Sequence, residues 1–336
     1  MSDMDNMMRA YVLQGPSDTT LDSVTLAEVP VPEPGPGQVL IKVHAVGLNP
    51  VDYKLVASHP DVWTYPHTLG LDVAGEIVTL GDGVDANWEK GMRVAGHGDL
   101  RFDGSFAQYA VEPNYALALI PENVSYDVAA GVLCSAMTAY QAINRKPNLN
   151  LVRTALVHGG SGAVGGIAVQ LAKKHGIKVF TTCSGAKVEE VRKLRPDAII
   201  DYRTEDVTER VKELTGGLGV DLVVDTVGAE EATRDVERLA YNGQLVAIVG
   251  GPEVGPGELA ARGLSVETVN LGGAHASGNP VEQRDLGTIA SDILEMVSLG
   301  RLDPLVTTIL PFDRLVEGLT ELKDHRLAGK AVVTVE

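Results

Sequence analysis

Three glycines at 160, 162 and 165 carry the chain's most specific chemical signal, because the strand-like run TALVHG precedes them and the helix-like run GIAVQLAKKHG follows. Gly159, Gly160, Ser161, Gly162, Ala163, Val164 and Gly165 together form a G-x-G-x-x-G loop between a strand and a helix. Such a loop needs small residues so that the backbone turns tightly, approaches a pyrophosphate, and aims a helix N-terminus at negative charge. A turn without function would use the same residue types. Six alternating strand and helix segments around this one favour the dinucleotide reading.

An NAD site would place Asp or Glu about twenty residues further on, at the end of the second strand, to accept the ribose hydroxyls. This chain has TTCSGAK over 181–187 instead. Ser184 can donate to a 2′-phosphate and Lys187 can neutralise part of its charge, so the expected cofactor is NADPH. A solvated lysine in a first helical turn is the plainer reading of Lys187. Tyr202 and Arg203, just past the third strand, fit neighbours of the adenosine end, although exposed turn residues would look the same.

The elements that position these residues fall into three stretches. Through residue 125, Arg9 to Gln14, Val39 to Gly47, Val73 to Leu80 and Phe106 to Val111 read as short strands separated by breakers such as PVPEPGPG, an all-β barrel pattern. From Tyr126 the period becomes helical over Val128 to Ile143. Strand candidates then recur at Ala155 to His158, Lys178 to Cys183, Ala198 to Asp201, Asp221 to Thr226, Gln244 to Val249 and Val266 to Asn270. Helical segments separate the first five, which predicts an α/β fold with a doubly wound, six-stranded parallel sheet. The expected domains are 1–125, 126–272, and a segment 273–336 that returns to the first.

The 336 residues supply enough apolar material for two cores, with 44% hydrophobic residues. Lys and Arg total 28 against 45 Asp and Glu, a net charge of −17 that makes nucleic acid and anionic membranes poor partners. The opening segment has acids at Asp3 and Asp5 and no apolar core preceded by Lys or Arg, which argues against a signal peptide. No apolar stretch is long enough to span a membrane. With two cysteines, Cys134 and Cys183, a reducing cytoplasm is the expected location.

The segments GLNPVDYK, PHTLGLDVAGEIVTLGDGV and GSFAQYAVEPNYALALIPENVSYDVAAGVLCSAMTAYQAI, with the glycine loop, resemble the quinone oxidoreductase branch of the medium-chain dehydrogenase/reductase superfamily, which includes zeta-crystallin. The resemblance covers nearly the whole chain. It implies a GroES-like catalytic domain on a Rossmann cofactor domain, and hydride transfer to a small quinone or α,β-unsaturated carbonyl. Zinc-dependent relatives carry Cys where this chain has Asn49, a His-Glu pair at Leu71 and Asp72, and a second Cys near Cys134. One thiolate cannot replace three protein ligands, so no metal is expected. His44, His59, His67 and His97 show no pairing that would build a replacement site.

Without zinc, a plain ketone lacks its main electrophile, whereas a conjugated acceptor delocalises the arriving charge onto an oxygen that hydrogen bonds can support. By the resemblance, Asn49 and Asp52 line the nicotinamide pocket. An amide at 49 can donate to the cofactor or to a developing oxyanion, while Asp52 serves either the site or the start of a helix. Tyr53 and Tyr65 fit substrate contact or proton donation, or burial with a hydrogen-bond partner. Thr138, Val249, Gly250 and Lys330 match positions near the family's cofactor. An enoyl-thioester reductase, or a non-catalytic NADPH-binding crystallin-like protein, remains an alternative. The last strand of the parallel sheet has an open edge, which together with the family predicts a homodimer.

Overall fold

The computed structural model describes residues 6–336; Asp3 and Asp5 lie outside the described residues. The described residues divide into two compact units, one formed by 6–137 with 272–336 and the other by 138–271.

The first unit is a β structure with few helices. Its strands are β1 (Met7–Leu13), β2 (Thr25–Pro30), β3 (Gln38–Gly47), β4 (His67–Thr68), β5 (Asp72–Leu80), β6 (Arg93–His97), β7 (Tyr109–Pro113) and β8 (Leu117–Leu119). Helix α1 (Pro50–Ala57) follows β3, and α2 (Tyr126–Gly131) and α3 (Leu133–Tyr140) follow β8. Pro50 stands in the first turn of α1, where its missing N–H costs no helical hydrogen bond.

The second unit holds β9 (Thr154–Val157), α4 (Ala163–Lys174), β10 (Lys178–Cys183), α5 (Val188–Arg192), β11 (Ala198–Asp201), α6 (Val207–Thr215), β12 (Val220–Asp225), α7 (Ala229–Arg238), β13 (Leu239–Ala247), α8 (Pro256–Arg262) and β14 (Ser265–Thr268). All its strand pairs are parallel, in the order β11-β10-β9-β12-β13-β14. That is the doubly wound arrangement, with its switch point beside β9. Leu156, Phe180, Val223 and Leu245 interlock as its core.

The chain then rejoins the first unit through α9 (Gly273–Ala276), α10 (Pro280–Ser298), β15 (Val306–Pro311), α11 (Leu315–Lys323) and β16 (Lys330–Thr334). Strand β16 pairs antiparallel with β3, extending a sheet ordered β15-β16-β3-β5-β6-β8. The expected boundary at 125/126 moves to 137/138. A change of hydrophobic period marks where a helix starts, not where a domain does. Helix α2 packs on β3, β5 and β16. A side chain on Gly131 would meet Val306 at 2.4 Å, and one on Gly47 would meet the Ala130 carbonyl at 2.5 Å, so residues 126–137 are fitted closely to the first unit.

Candidate active site

At one end of the first unit's sheet, residues distant in sequence converge on a single carboxylate. Gly47 closes β3 opposite Asp72, which opens β5, and Asp72 in turn lies opposite His97, which closes β6. Asp72 is fully buried (0% exposed). Its Oδ2 accepts from the Asn49 side-chain amide at 2.8 Å and the Lys330 ammonium at 3.2 Å. Its Oδ1 accepts from the Cys134 backbone N–H at 3.0 Å and pairs with His97 Nδ1 at 3.0 Å. Burial alone would push this carboxyl up, but Lys330, His97 and Asn49 outweigh it and hold it below the usual carboxylate range.

Asn49 is 2% exposed and its polar atoms are engaged within this network. Its amide donates to Asp72 and, at 3.3 Å, to the Gly47 carbonyl, while its oxygen accepts a short bond from Lys330. Lys330, at the start of β16, is 3% exposed and so is a buried cation bound to both Asn49 and Asp72. Asp52 sits at the N-terminus of α1 and takes the Asn49 backbone N–H at 2.7 Å on Oδ2, so the helix-cap reading has its hydrogen bond. Its Oδ1 is buried with no partner among the described residues. Burial, aided by Asp72, pushes its pKa up to about 8. Tyr53 and Tyr65 are partly buried against the unit's core, and burial raises the Tyr53 phenol.

Sequence reasoning passed over the residues next to this carboxylate. The ring of His97 is fixed by Asp72, and its backbone carbonyl pairs with His275 Nε2 at 3.0 Å. His275 Nδ1 pairs with the Tyr115 hydroxyl at 3.0 Å, and burial drives the His275 pKa down to about 4. Glu112 is buried nearby, with burial first and then Asp99 and Asp72 pushing its pKa to about 8.

A catalytic zinc, implied by the wider fold family, does not fit these residues. Asn49 offers an amide, Leu71 no ligand atom, and Asp72 is already saturated by donors that include a lysine ammonium. In the second unit, His158, Asp225 and Asp235 bring ligand atoms within 4.8 Å of one another. There Arg238 supplies the positive charge, donating to Asp235 at 2.7 Å and to Glu231.

The glycine loop follows β9 and leads into α4, whose N-cap is Gly162 without a side-chain cap. A side chain on Gly160 would meet Thr181 Oγ1 at 2.3 Å, and one on Gly165 would meet the Gly159 carbonyl at 2.3 Å. Gly159 adopts φ +68°, a left-handed conformation suited to glycine. A side chain on Gly162 would meet nothing nearer than the Gly159 carbonyl at 3.4 Å. Ser161, Ala163 and Val164 are half-buried around it. Buried Ser184 and half-buried Lys187 follow the end of β10, the strand between β9 and β11. Asp201, ending β11, is their near neighbour: a side chain on Gly185 would meet its Oδ2 at 2.6 Å. Tyr202 is 53% exposed, Thr138 is buried on α3, and Val249 and Gly250 follow the end of β13 with Gly250 at φ +136°.

Residues 35–122 match the alcohol dehydrogenase GroES-like domain family and residues 163–286 the zinc-binding dehydrogenase family. The chain is 28% identical to the quinone oxidoreductase of Sus scrofa over 97% of its own length and 96% of that protein's. It is 31% identical to the quinone oxidoreductase of Mus musculus over 79% of this chain and 80% of that one. Among solved structures, a quinone oxidoreductase of Pseudomonas syringae superposes with a TM-score of 0.87 at 25% identity, covering 98% of this chain and 100% of that one. An oxidoreductase fold with a nicotinamide-binding Rossmann unit follows, and the chain belongs to the quinone oxidoreductase branch of the medium-chain dehydrogenase/reductase superfamily.

Proposed function

We propose that the chain is a zinc-independent, NADPH-dependent reductase of quinones and small α,β-unsaturated carbonyls. The observation that carries this reading is the Asn49–Asp72–Lys330 network: a lysine ammonium, not a metal, balances the buried carboxylate. When bound, the reduced nicotinamide supplies hydride, and a conjugated acceptor takes it without a Lewis acid because the charge spreads to its oxygen. In this reading Gly159 to Gly165 hold the pyrophosphate, Thr138, Tyr202, Val249 and Gly250 contact the nucleotide, and Tyr53 and Tyr65 border the acceptor. Asn49 and Lys330 fix the Asp72 end of the site, with Asp52 holding the turn that carries Asn49.

Preference for NADPH rests on Ser184 and Lys187. Asp201 favours a second reading, NADH as cofactor, because a carboxylate beside Gly185 would repel a 2′-phosphate. The pairing of β14 with β13 alone leaves one sheet edge open and supports a homodimer. Among the described residues no helix is long and apolar enough to cross a membrane.

Turnover of NADPH and NADH with 1,4-benzoquinone, crotonyl-CoA and a blank tests the activity, and elemental analysis tests the metal. We expect benzoquinone turnover, faster with NADPH, and no stoichiometric zinc. Preferential crotonyl-CoA turnover would indicate a thioester reductase. Binding of NADPH without turnover would indicate a non-catalytic protein.

A further inference from the structure

Asp72 and His97 form a carboxylate–imidazole pair at the end of adjacent strands, with both side chains essentially buried. A carboxylate held in its charged form only accepts, so the hydrogen on this contact belongs to His97 Nδ1. That assignment leaves Nε2 as the ring nitrogen not held by Asp72. It faces the backbone of Gly272, where a side chain's first carbon would lie 4.0 Å away. Gly272 has φ −66°, a conformation open to any residue, so backbone geometry does not require glycine there.

The neighbouring histidine is arranged differently. His275 uses both ring nitrogens, one on the His97 carbonyl and one on Tyr115. Around His97 the charged and titratable groups are Asp72 on β5, Lys330 on β16, Glu112 on β7, Asp99 and Arg101 after β6, and His275 on α9. Asp99 is bound by Arg101, and Lys330 lies on the far oxygen of Asp72, so Asp72 is the carboxylate that meets the His97 ring.

We propose that His97 donates the proton that completes reduction of a conjugated acceptor, with Asp72 as the residue that positions its ring. The proposal rests on the reductase reading above. Hydride reaching the far carbon of an enone leaves an electron pair on the enolate oxygen. The imidazolium Nε2–H bond then breaks, its electron pair stays on Nε2, and an O–H bond forms on the substrate, giving an enol that water converts to the saturated ketone by adding a proton at carbon and removing the one on oxygen. The ring is left neutral with Nδ1–H on Asp72, and water returns the proton before the next turnover.

The test compares two acceptors in wild type and His97→Gln. Hydride transfer leaves an oxyanion on both acceptors, but the hydroquinone anion of 1,4-benzoquinone is the weaker base because its charge spreads over an aromatic ring, so it depends less on a general acid than the enolate of 2-cyclohexenone. We expect kcat with cyclohexenone to fall about 10²- to 10⁴-fold, the range of a lost general acid, with KM nearly unchanged and benzoquinone turnover reduced less than about tenfold. Gly272→Leu, which leaves the His97–Asp72 contact in place, should lower the cyclohexenone rate selectively by covering Nε2. In ¹⁵N spectra of the histidine-labelled protein, the neutral His97 ring should carry its hydrogen on Nδ1, and Asp72→Asn should release that preference. Equal loss with both acceptors, an undiminished His97→Gln rate, or a hydrogen on Nε2 in the neutral ring would overturn the proposal. Wild type inactive with both acceptors would overturn the reductase reading itself.

Discussion

Replacing Lys330 by Met removes the ammonium from Asp72 while keeping most of the side-chain volume. Both partners are buried, with side-chain exposures of 2% and 0%, so water cannot take over the lost pairing. Breaking a buried ion pair by removing one partner costs about 3–5 kcal/mol, because the remaining charge is stranded. Asp72 keeps its bonds from Asn49, His97 and Cys134, which places the expected loss near the lower end. For a unit of about 200 residues, 3 kcal/mol corresponds to a fall in Tm of roughly 6–12 °C.

The loss should depend on pH with a definite sign. In the wild type the folded Asp72 carboxyl lies below its unfolded value, so it contributes stability above the unfolded pKa that is lost as pH falls through the folded one. Without Lys330, the largest cause holding the carboxyl down is gone and the folded value moves upward. The variant's carboxylate then contributes less stability above its unfolded pKa, so the gap between wild type and Lys330→Met should be widest near neutral pH and narrow on acidification. Urea denaturation at several pH values, read by far-UV circular dichroism, measures this gap. Adding Asp72→Asn to Lys330→Met should restore part of the loss at pH 7. A destabilisation below about 1 kcal/mol, or a gap that widens in acid, would refute a buried ion pair at this position.

Lys187→Ala should weaken NADPH binding by about 1–3 kcal/mol, the scale of a charge-assisted hydrogen bond, and leave NADH nearly unchanged when titrated by fluorescence. Gly165→Val should abolish nucleotide binding in the same titration, because its side chain would press on the Gly159 carbonyl, while circular dichroism shows the rest of the fold retained. Asp52 and Glu112 both have folded pKa values raised to about 8 by burial, so each contributes stability that is complete below its unfolded value and lost as pH rises toward 8. Urea midpoints should therefore decline from pH 5 to pH 9, and Asp52→Asn with Glu112→Gln should flatten that decline.

The parallel sheet was legible because buried parallel strands are short apolar runs between turn signals. Lys178–Cys183 and Ala198–Asp201 were read with the bounds the structure gives them. Strand β13 was not: it begins at Leu239, five residues before the expected Gln244, and ends at Ala247. Its first residues include exposed Tyr241 and Asn242, the latter at φ +62°, and the pairing with β12 shifts register between Val220 and Leu222. A local pattern cannot signal that irregularity. The helix read over Val128 to Ile143 is also interrupted, at Val132, and α3 gives way to a wider turn over Gln141–Arg145.

Residue type and spacing described the candidate site only where its residues are close in sequence, and Lys330 entered through the family resemblance alone. Asn49 and Asp52 share one turn, and the glycines one loop, so their types and spacing describe the local geometry. Asp72, His97 and Lys330 come together through the pairings β3–β5, β5–β6 and β3–β16, and a register shift of one residue would turn each side chain to the opposite face. His97 therefore looked like one of several scattered histidines.

The composition of this network bears on why it exists. A buried carboxylate with its cation is rarely the most stable way to fill a protein interior, since apolar residues of similar volume avoid the desolvation cost of both charges. The first unit already has an extensive apolar core that includes Val46, Val73 and Val333 on the same strands, so sheet packing does not require a lysine at 330. What apolar residues could not supply is an acceptor that fixes the Asn49 amide and the His97 ring at once. Asp72 bonds both, and Lys330 offsets its burial by bonding Asp72 and Asn49 together. The stability forgone by keeping charges inside is thus coupled to the orientation of two polar side chains, as expected of a site organised in advance of its ligand.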